Sequence, residues 1–109
     1  MKKNVLLMSN IKITVLKCFS PSEVFEISPL TTTQQPFTVC NFFSEGQEFI
    51  IDDDLNMPDG FCGSAWHTIW NYIRTLSYGG NFAWFKEKGS CIACCADGLR
   101  PVIFKIERI

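Results

Sequence analysis

The C-terminal stretch of the chain, 91-CIACCADGLRPVIFKIERI-109, decides the fold class. Two β-compatible runs flank Asp97-Gly98, a dipeptide typical of the tight turn in a β-hairpin. The pattern therefore predicts a hairpin of two antiparallel strands at the end of the chain. With Asp97 and Gly98 as a two-residue loop, Cys95 would lie opposite Arg100, and the pairing of the rest of the hairpin follows from that register.

The faces of this hairpin follow from its alternation, since successive side chains on a strand point to opposite sides. In the predicted register Ala93 opposes Val102. The side chains expected on the inner face are Cys91, Ala93, Cys95, Val102 and Phe104. Cys94 is expected on the outer face, with Ile92 and Ile103. Cys94 and Cys95 could therefore ligate one metal ion only if a β-bulge broke the alternation.

Two more strands and one helix are predicted upstream of the hairpin. The run 11-IKITVLKCF-19 alternates apolar and polar side chains, and Phe49–Ile51 forms a short apolar run. Between Ser64 and Tyr78, apolar residues recur at steps of three and four, which indicates an amphipathic helix. Its apolar stripe consists of Trp66, Ile69, Trp70, Ile73 and Leu76. Ser64 is the predicted N-cap and Gly79 the predicted stop.

These elements predict an α+β fold: a small antiparallel sheet or partly open barrel, one main packed helix and the C-terminal β-hairpin. The terminal strand is expected near the sheet centre, beside the strand that starts at Ile11. Residues 1–109 are expected to form a single domain, with 1–10 as a loose N-terminal extension. The aromatic residues expected in the core are Trp66, Trp70, Phe82, Trp84 and Phe104.

Composition limits the function classes. The chain has 109 residues, is 47% hydrophobic and has a net charge of −1. A general nucleic-acid binder needs a basic surplus for phosphate contacts, so no nucleic-acid partner is expected. The apolar run Val5–Met8 is shorter than the roughly 7–15 apolar residues of a secretory signal. No window approaches the roughly 20 apolar residues of a membrane span, so no membrane partner is expected and the localisation is predicted to be cytoplasmic. In that reducing setting, the six cysteines are not expected to form a disulfide framework.

The cysteines allow two interpretations. In the first, Cys40, Cys62, Cys94 and Cys95 converge on zinc or an iron–sulfur cluster, since thiolates are the ligands that both prefer. In the second, the cysteines are small apolar side chains that fill the core, because free cysteine is among the most buried residue types. The spacing favours the second, since the chain has a single C-x-x-C, from Cys91 to Cys94.

Cys62 also raises the possibility of a reactive thiol. It lies just before the predicted helix, where the helix dipole and unbonded N–H groups promote thiol reactivity. An enzyme built on Cys62 would need a pocket at the helix start and a basic group such as Arg100 within reach. His67, the only histidine, lies off the apolar stripe and is expected at the surface rather than as a catalytic base.

Several phrases of the sequence resemble a small uncharacterised prokaryotic protein family. They are 45-EGQEF-49, 57-MPDGFC-62, 79-GGNFAWFKEKG-89 and 94-CCADGLRPVIFKIERI-109, after the opening 11-IKITVLK-17. The resemblance implies signature positions at Cys40, Cys62, Cys94, Cys95, Trp66, Trp84 and the Asp-Gly-Leu-Arg-Pro turn. Departures occur at Asn41 and Ala83, where the family has proline, and near His67, where it has an acidic residue. The family implies no activity, and its recurring cysteines favour a thiol or metal role.

Three functions from different classes remain open. The first is a small cytoplasmic accessory protein whose cysteines bind metal or an iron–sulfur cluster, or act as redox thiols. The second is a cofactor-free interaction module, acting on a protein partner, in a homo-oligomer or as a subunit of a larger complex, with an exposed aromatic patch. The third is a Cys62-dependent enzyme. Of these, a non-enzymatic role is favoured.

Overall fold

A four-stranded antiparallel sheet forms the frame of the protein, in a computed structural model that describes residues 10–109. The elements follow one another as β1 (Ile11–Cys18), α1 (Pro21–Val24), β2 (Glu48–Ile51), α2 (Gly63–Ser77), β3 (Ser90–Cys94) and β4 (Val102–Arg108). The strand order is β2-β1-β4-β3, so β4 lies at the centre beside β1, as predicted. Within the described residues the sheet stays open rather than closing into a barrel, and the α+β class is confirmed.

The two ends of the described chain meet at one end of the two central strands, β1 and β4. The backbone N–H of Ile109 donates a hydrogen bond to the carbonyl oxygen of Asn10 over 3.0 Å. Asn10 is thus tied to the sheet, although it was predicted to belong to the loose extension. Residues 1–9 of that predicted extension lie outside the described residues.

Alternation along β1 separates the two faces of the sheet, as the sequence predicts. Ile11, Ile13 and Val15 are buried, and Val15 lies opposite Phe104 on β4. On the other face, Lys12 lies close to carboxylates on both neighbouring strands. One face therefore packs against α2, and the other carries charged and partly exposed side chains.

The C-terminal hairpin differs from the prediction in its loop. Ala93 pairs with Phe104, and the N–H of Cys95 donates to the carbonyl oxygen of Val102, so the two-residue loop and its register are wrong. The loop runs from 96 to 101, because Asp97 bonds within it and Pro101 has no N–H for a ladder bond. The register shift is an even number of residues, so the predicted faces survive: Cys91 and Ala93 are buried, and Cys94 pairs with Ile103 on the outer side.

Measured from its N-cap, helix α2 begins two residues earlier than predicted, and it stops at Gly79 as predicted. Cys62, not Ser64, is the N-cap, because its carbonyl oxygen accepts the first helical hydrogen bond from Trp66. At the other end Gly79 has a φ of +90°, which glycine adopts without strain. The N–H groups of Gly79 and Gly80 donate to carbonyls of the last turn, the pattern of a Schellman motif.

The helix buries a narrower stripe than the sequence suggests. Its fully buried apolar residues are Ala65, Ile69, Ile73 and Leu76, and Trp66 and Trp70 flank them half-buried. Of the other aromatic residues predicted in the core, Phe104 is buried and Phe82 is half-buried. Trp84 was predicted wrongly: its exposed fraction is 76%, since it follows the end of α2 in an irregular segment and stacks on Phe82 at the surface.

Four buried phenylalanine rings, here called the phenylalanine cluster, join the sheet to the loops above it. They are Phe43, Phe49, Phe61 and Phe104. Phe43 lies 5.2 Å from Phe104 and 5.1 Å from Phe61 between ring centroids, both edge-on. Edge-to-face contacts at these distances are favourable beyond the apolar area that they bury. The cluster therefore fixes the loop before β2 and the residue before Cys62 against the centre of the sheet.

We expect Phe43→Ala to lower the free energy of unfolding by about 3–5 kcal/mol, because it leaves a cavity among the rings. Phe42→Ala is the matched control. Phe42 is its neighbour in the chain but is 52% exposed, so its loss should cost about 1 kcal/mol or less. Urea denaturation followed by circular dichroism measures both. Equal losses in the two variants would contradict the role assigned to the cluster.

Candidate functional site

A pocket of about 250 Å³ opens at the end of the sheet where α2 begins. Three segments line it: the loop 40–43, the start of α2 and the hairpin loop, together with the first residue of β4. The phenylalanine cluster contributes Phe43 to the wall, so the pocket lies directly on the core. Its position follows from the fold, because the loops from these three segments meet at the same end of the sheet.

Three cysteines from three separate segments line this pocket: Cys40, Cys62 and Cys95. Cys62 is held by its place between buried Phe61 and the first turn of α2. The sulfur of Cys95 accepts a hydrogen bond from the backbone N–H of Val102, with 3.3 Å between the two atoms. The structure thus brings together three of the four cysteines that the sequence singles out.

The fourth of those cysteines, Cys94, lies on β3 with Ile103 opposite and does not line the pocket. Burial raises the pKa of its thiol, and the neighbouring Cys95 raises it further through charge and a hydrogen bond. A backbone hydrogen bond from Val102 lowers the pKa of the Cys94 thiol in part. Cys94 is therefore a half-buried, protonated neighbour of the pocket.

Cys91 belongs to the core. Its exposed fraction is 2%, and burial raises the pKa of its thiol to about 11. A thiol that stays protonated and out of reach of solvent is a poor nucleophile and a poor metal ligand. The interpretation of a cysteine as apolar filler fits Cys91.

Cys18 is a neighbour of the site that the sequence analysis missed. It ends β1 opposite Val102, and its thiol lies 3.8 Å from the carbonyl oxygen of Phe43. The pKa of Cys18 is raised by burial first, then by Glu45 and by the thiols of Cys40 and Cys95, with Lys17 acting against them. The antiparallel pairing of β1 with β4 was the available signal, because it places the end of β1 beside the start of β4.

The hairpin loop adds charge to the pocket through Arg100 and Asp97. The Arg100 Nε donates to Asp97 Oδ2 over 3.2 Å, and the other carboxylate oxygen accepts from the Leu99 N–H. The guanidinium also lies 5.9 Å from the ring centroid of Phe37. Cys62 and a basic group, Arg100, thus line one pocket at the start of α2, the combination expected for a Cys62-dependent enzyme.

The described side chains are not arranged as a metal-binding site. Among residues 10–109, no group of three or more His, Cys, Asp or Glu side chains is placed to hold a metal ion. His67 is exposed on α2, in agreement with the surface position predicted for it. Ligation of zinc or an iron–sulfur cluster by Cys40, Cys62, Cys94 and Cys95 stays a prediction.

Comparison of the chain with models of protein families, with curated proteins and with solved structures gave no match. The resemblance of its sequence phrases to the small prokaryotic family stays a prediction. In the part of the chain that the structure describes, none of the helices has the length and apolar character needed to cross a membrane.

We expect iodoacetamide to alkylate the pocket thiols well before Cys91. A pKa of about 11 leaves about one Cys91 thiol in a thousand ionised at about pH 8, and the thiolate is the reacting form. Labelling of Cys91 should therefore accelerate as pH rises toward that pKa. Peptide mass spectrometry after timed quenching measures each site. Labelling of Cys91 as fast as Cys62 in the folded protein would contradict this assignment; denatured protein, in which the difference should vanish, is the control.

Proposed function

We propose that the protein is a small thiol redox protein of the cytoplasm, in which Cys62 and Cys40 cycle between two thiols and a disulfide. The observation that carries the proposal is the convergence of Cys40, Cys62 and Cys95 on one pocket from three separate segments. The proposal places this protein among the accessory proteins rather than the enzymes.

Cys62 is the attacking thiol in this proposal. As N-cap it lies next to the first-turn N–H groups of α2, and among residues 10–109 its side chain makes no capping hydrogen bond. Those N–H groups lack partners within the helix. Because no capping bond holds it, the Cys62 sulfur can react within the pocket.

Cys40 is the partner thiol. It lies in an irregular segment, so no strand or helix hydrogen bond opposes the Cα separation of roughly 4.4–6.8 Å that a disulfide with Cys62 needs. Cys95 is more constrained, because both its backbone N–H and its sulfur are bonded to Val102. When Cys40 and Cys62 form their disulfide, each thiol loses a proton and the pair loses two electrons. An external disulfide takes up both electrons and is reduced to two thiols.

Serine variants test the pair. On titration with oxidised and reduced glutathione, the wild-type protein should form one intramolecular disulfide that peptide mapping places at Cys40 and Cys62. Cys62→Ser should abolish it, and Cys40→Ser should stop at a mixed disulfide on Cys62. Cys94→Ser is the control, since Cys94 lies outside the pocket, and should leave the disulfide intact.

A disulfide that persists in Cys62→Ser, or that maps to residues outside the pocket, would refute the assignment. Zinc, iron and sulfide analysis of the same protein, purified without oxygen, tests the metal-binding alternative in parallel. Stoichiometric metal that is lost in both pocket variants would favour ligation over redox exchange.

An interaction module is the second candidate function, favoured by the exposed aromatic residues at the other end of α2. Tyr72, Phe82 and Trp84 contact one another in a row of tilted rings, with ring centroids 5.4 Å and 5.1 Å apart, and Trp84 at the end is largely exposed. Exposed aromatic side chains are enriched at protein interfaces and at their energetic centres. We propose that this row contacts a second copy of the chain or a protein partner.

Sedimentation velocity over a range of protein concentrations tests self-association through this row. We expect Trp84→Ser to weaken association, because it removes the most exposed ring. Tyr78→Ser is the matched control: Tyr78 is also an exposed aromatic residue, but it contacts Arg74 rather than the row. Equal association of wild type and Trp84→Ser would contradict a self-association role for the row.

A further inference from the structure

Arg100 contributes a guanidinium to the wall of the thiol pocket, beside the Asp97 carboxylate that pairs with it. Its guanidinium has five N–H donors, and among residues 10–109 only Nε is engaged in a hydrogen bond, to Asp97. The two terminal nitrogens therefore keep their donors for another acceptor. Two terminal nitrogens in one plane match the geometry of a carboxylate, which guanidinium groups bind with two parallel hydrogen bonds.

Asp97 positions this guanidinium and occupies only its Nε donor. One of its carboxylate oxygens accepts the Leu99 N–H and the other accepts Arg100 Nε, so both are occupied within the hairpin loop. The ring of Phe37 lies near the guanidinium as well. A cation oriented in this way loses less conformational entropy when it binds an anion.

The size of the pocket limits what can occupy it. Its volume of about 250 Å³ is below the roughly 300–1,000 Å³ typical of sites for drug-sized ligands. The pocket therefore suits a small molecule, which would lie between the three cysteines and Arg100.

We infer that the pocket takes a small disulfide that carries a carboxylate, with the carboxylate on the terminal nitrogens of Arg100 and the sulfur–sulfur bond against Cys62. This inference rests on the proposed function and names the class of molecule that the thiols exchange with. Arg100 is the specificity-determining residue, and Asp97 is a positioning residue that acts through it.

The exchange balances without another reactant. The Cys62 thiolate attacks one sulfur of the ligand, the ligand's sulfur–sulfur bond breaks, and half of the ligand leaves as a thiolate that takes up a proton. Cys40, after losing its proton, then attacks the Cys62 sulfur of the mixed disulfide, and the second half leaves in the same way. Two electrons pass from the two cysteines to the ligand, which is released as two thiols.

Three disulfides of similar size test the inference: dithiodiglycolic acid with carboxylates, bis(2-hydroxyethyl) disulfide without charge, and cystamine with ammonium groups. We measure the rate at which each oxidises the reduced full-length protein, by mass spectrometry after acid quenching. Arg100→Gln should slow the reaction with dithiodiglycolic acid about tenfold or more and leave the uncharged disulfide unaffected, because it removes the charge-assisted pair. Asp97→Asn should slow the anionic disulfide to a smaller extent.

Arg74→Gln is the matched control, since Arg74 is an exposed arginine on α2 outside the pocket, and its rates should equal those of the wild type. Thermal unfolding confirms that each variant is folded. Equal slowing of all three disulfides in Arg100→Gln, or no charge selectivity in the wild type, would overturn the inference while the proposed redox function stands. Failure of every disulfide, and of diamide, to couple Cys40 with Cys62 would overturn the proposed function itself.

Discussion

Contact between the phenylalanine cluster and the centre of the sheet is the constraint on which the candidate site depends. Phe43 and Phe61 come from connecting segments that have no strand or helix of their own to hold them, and both rings pack on Phe104 of the central strand. Each lies close in the chain to a pocket cysteine: Phe61 directly precedes Cys62, and Phe43 follows Cys40 in the loop 40–43. Apolar packing of these two rings therefore determines where Cys40 and Cys62 lie.

The opposite end of α2 is fixed by a different force. Arg108 of β4 donates from its guanidinium to the carbonyl oxygens of Leu76 and Gly80 and to the side chain of Asn81. Carbonyls at a helix C-terminus lack partners within the helix, and a cation there is favoured by the helix dipole. Aromatic packing at one end and charged hydrogen bonds at the other therefore hold α2 against the sheet. The start of the helix, with the cysteine that caps it, forms part of the pocket wall.

The sequence predicted the periodic parts of the fold and failed where geometry depends on single loop residues. The burial of Ile69, Ile73 and Leu76 on α2, the stop at Gly79 and the central place of β4 follow from periodicity and from glycine, and all three are confirmed. The hairpin loop was wrong because Asp97 bonds within the loop and Pro101 cannot extend the ladder, effects that the Asp-Gly signal does not contain. Cys18 was missed for a related reason: its place beside the pocket depends on strand pairing, which acts across distant parts of the chain.

The six thiols divide by environment into groups that no spacing in the sequence reveals. Burial raises the pKa of Cys18, Cys91 and Cys94 and keeps them protonated, whereas the remaining three line a pocket that reaches solvent. Strand alternation accounts for the split within the hairpin, since Cys91 points into the core, Cys94 points to the outer face, and Cys95 follows the last ladder pair where the chain turns. Three cysteines that look like one motif in the sequence thus lie in three different chemical environments, and the thiols that line the pocket lie outside the strands.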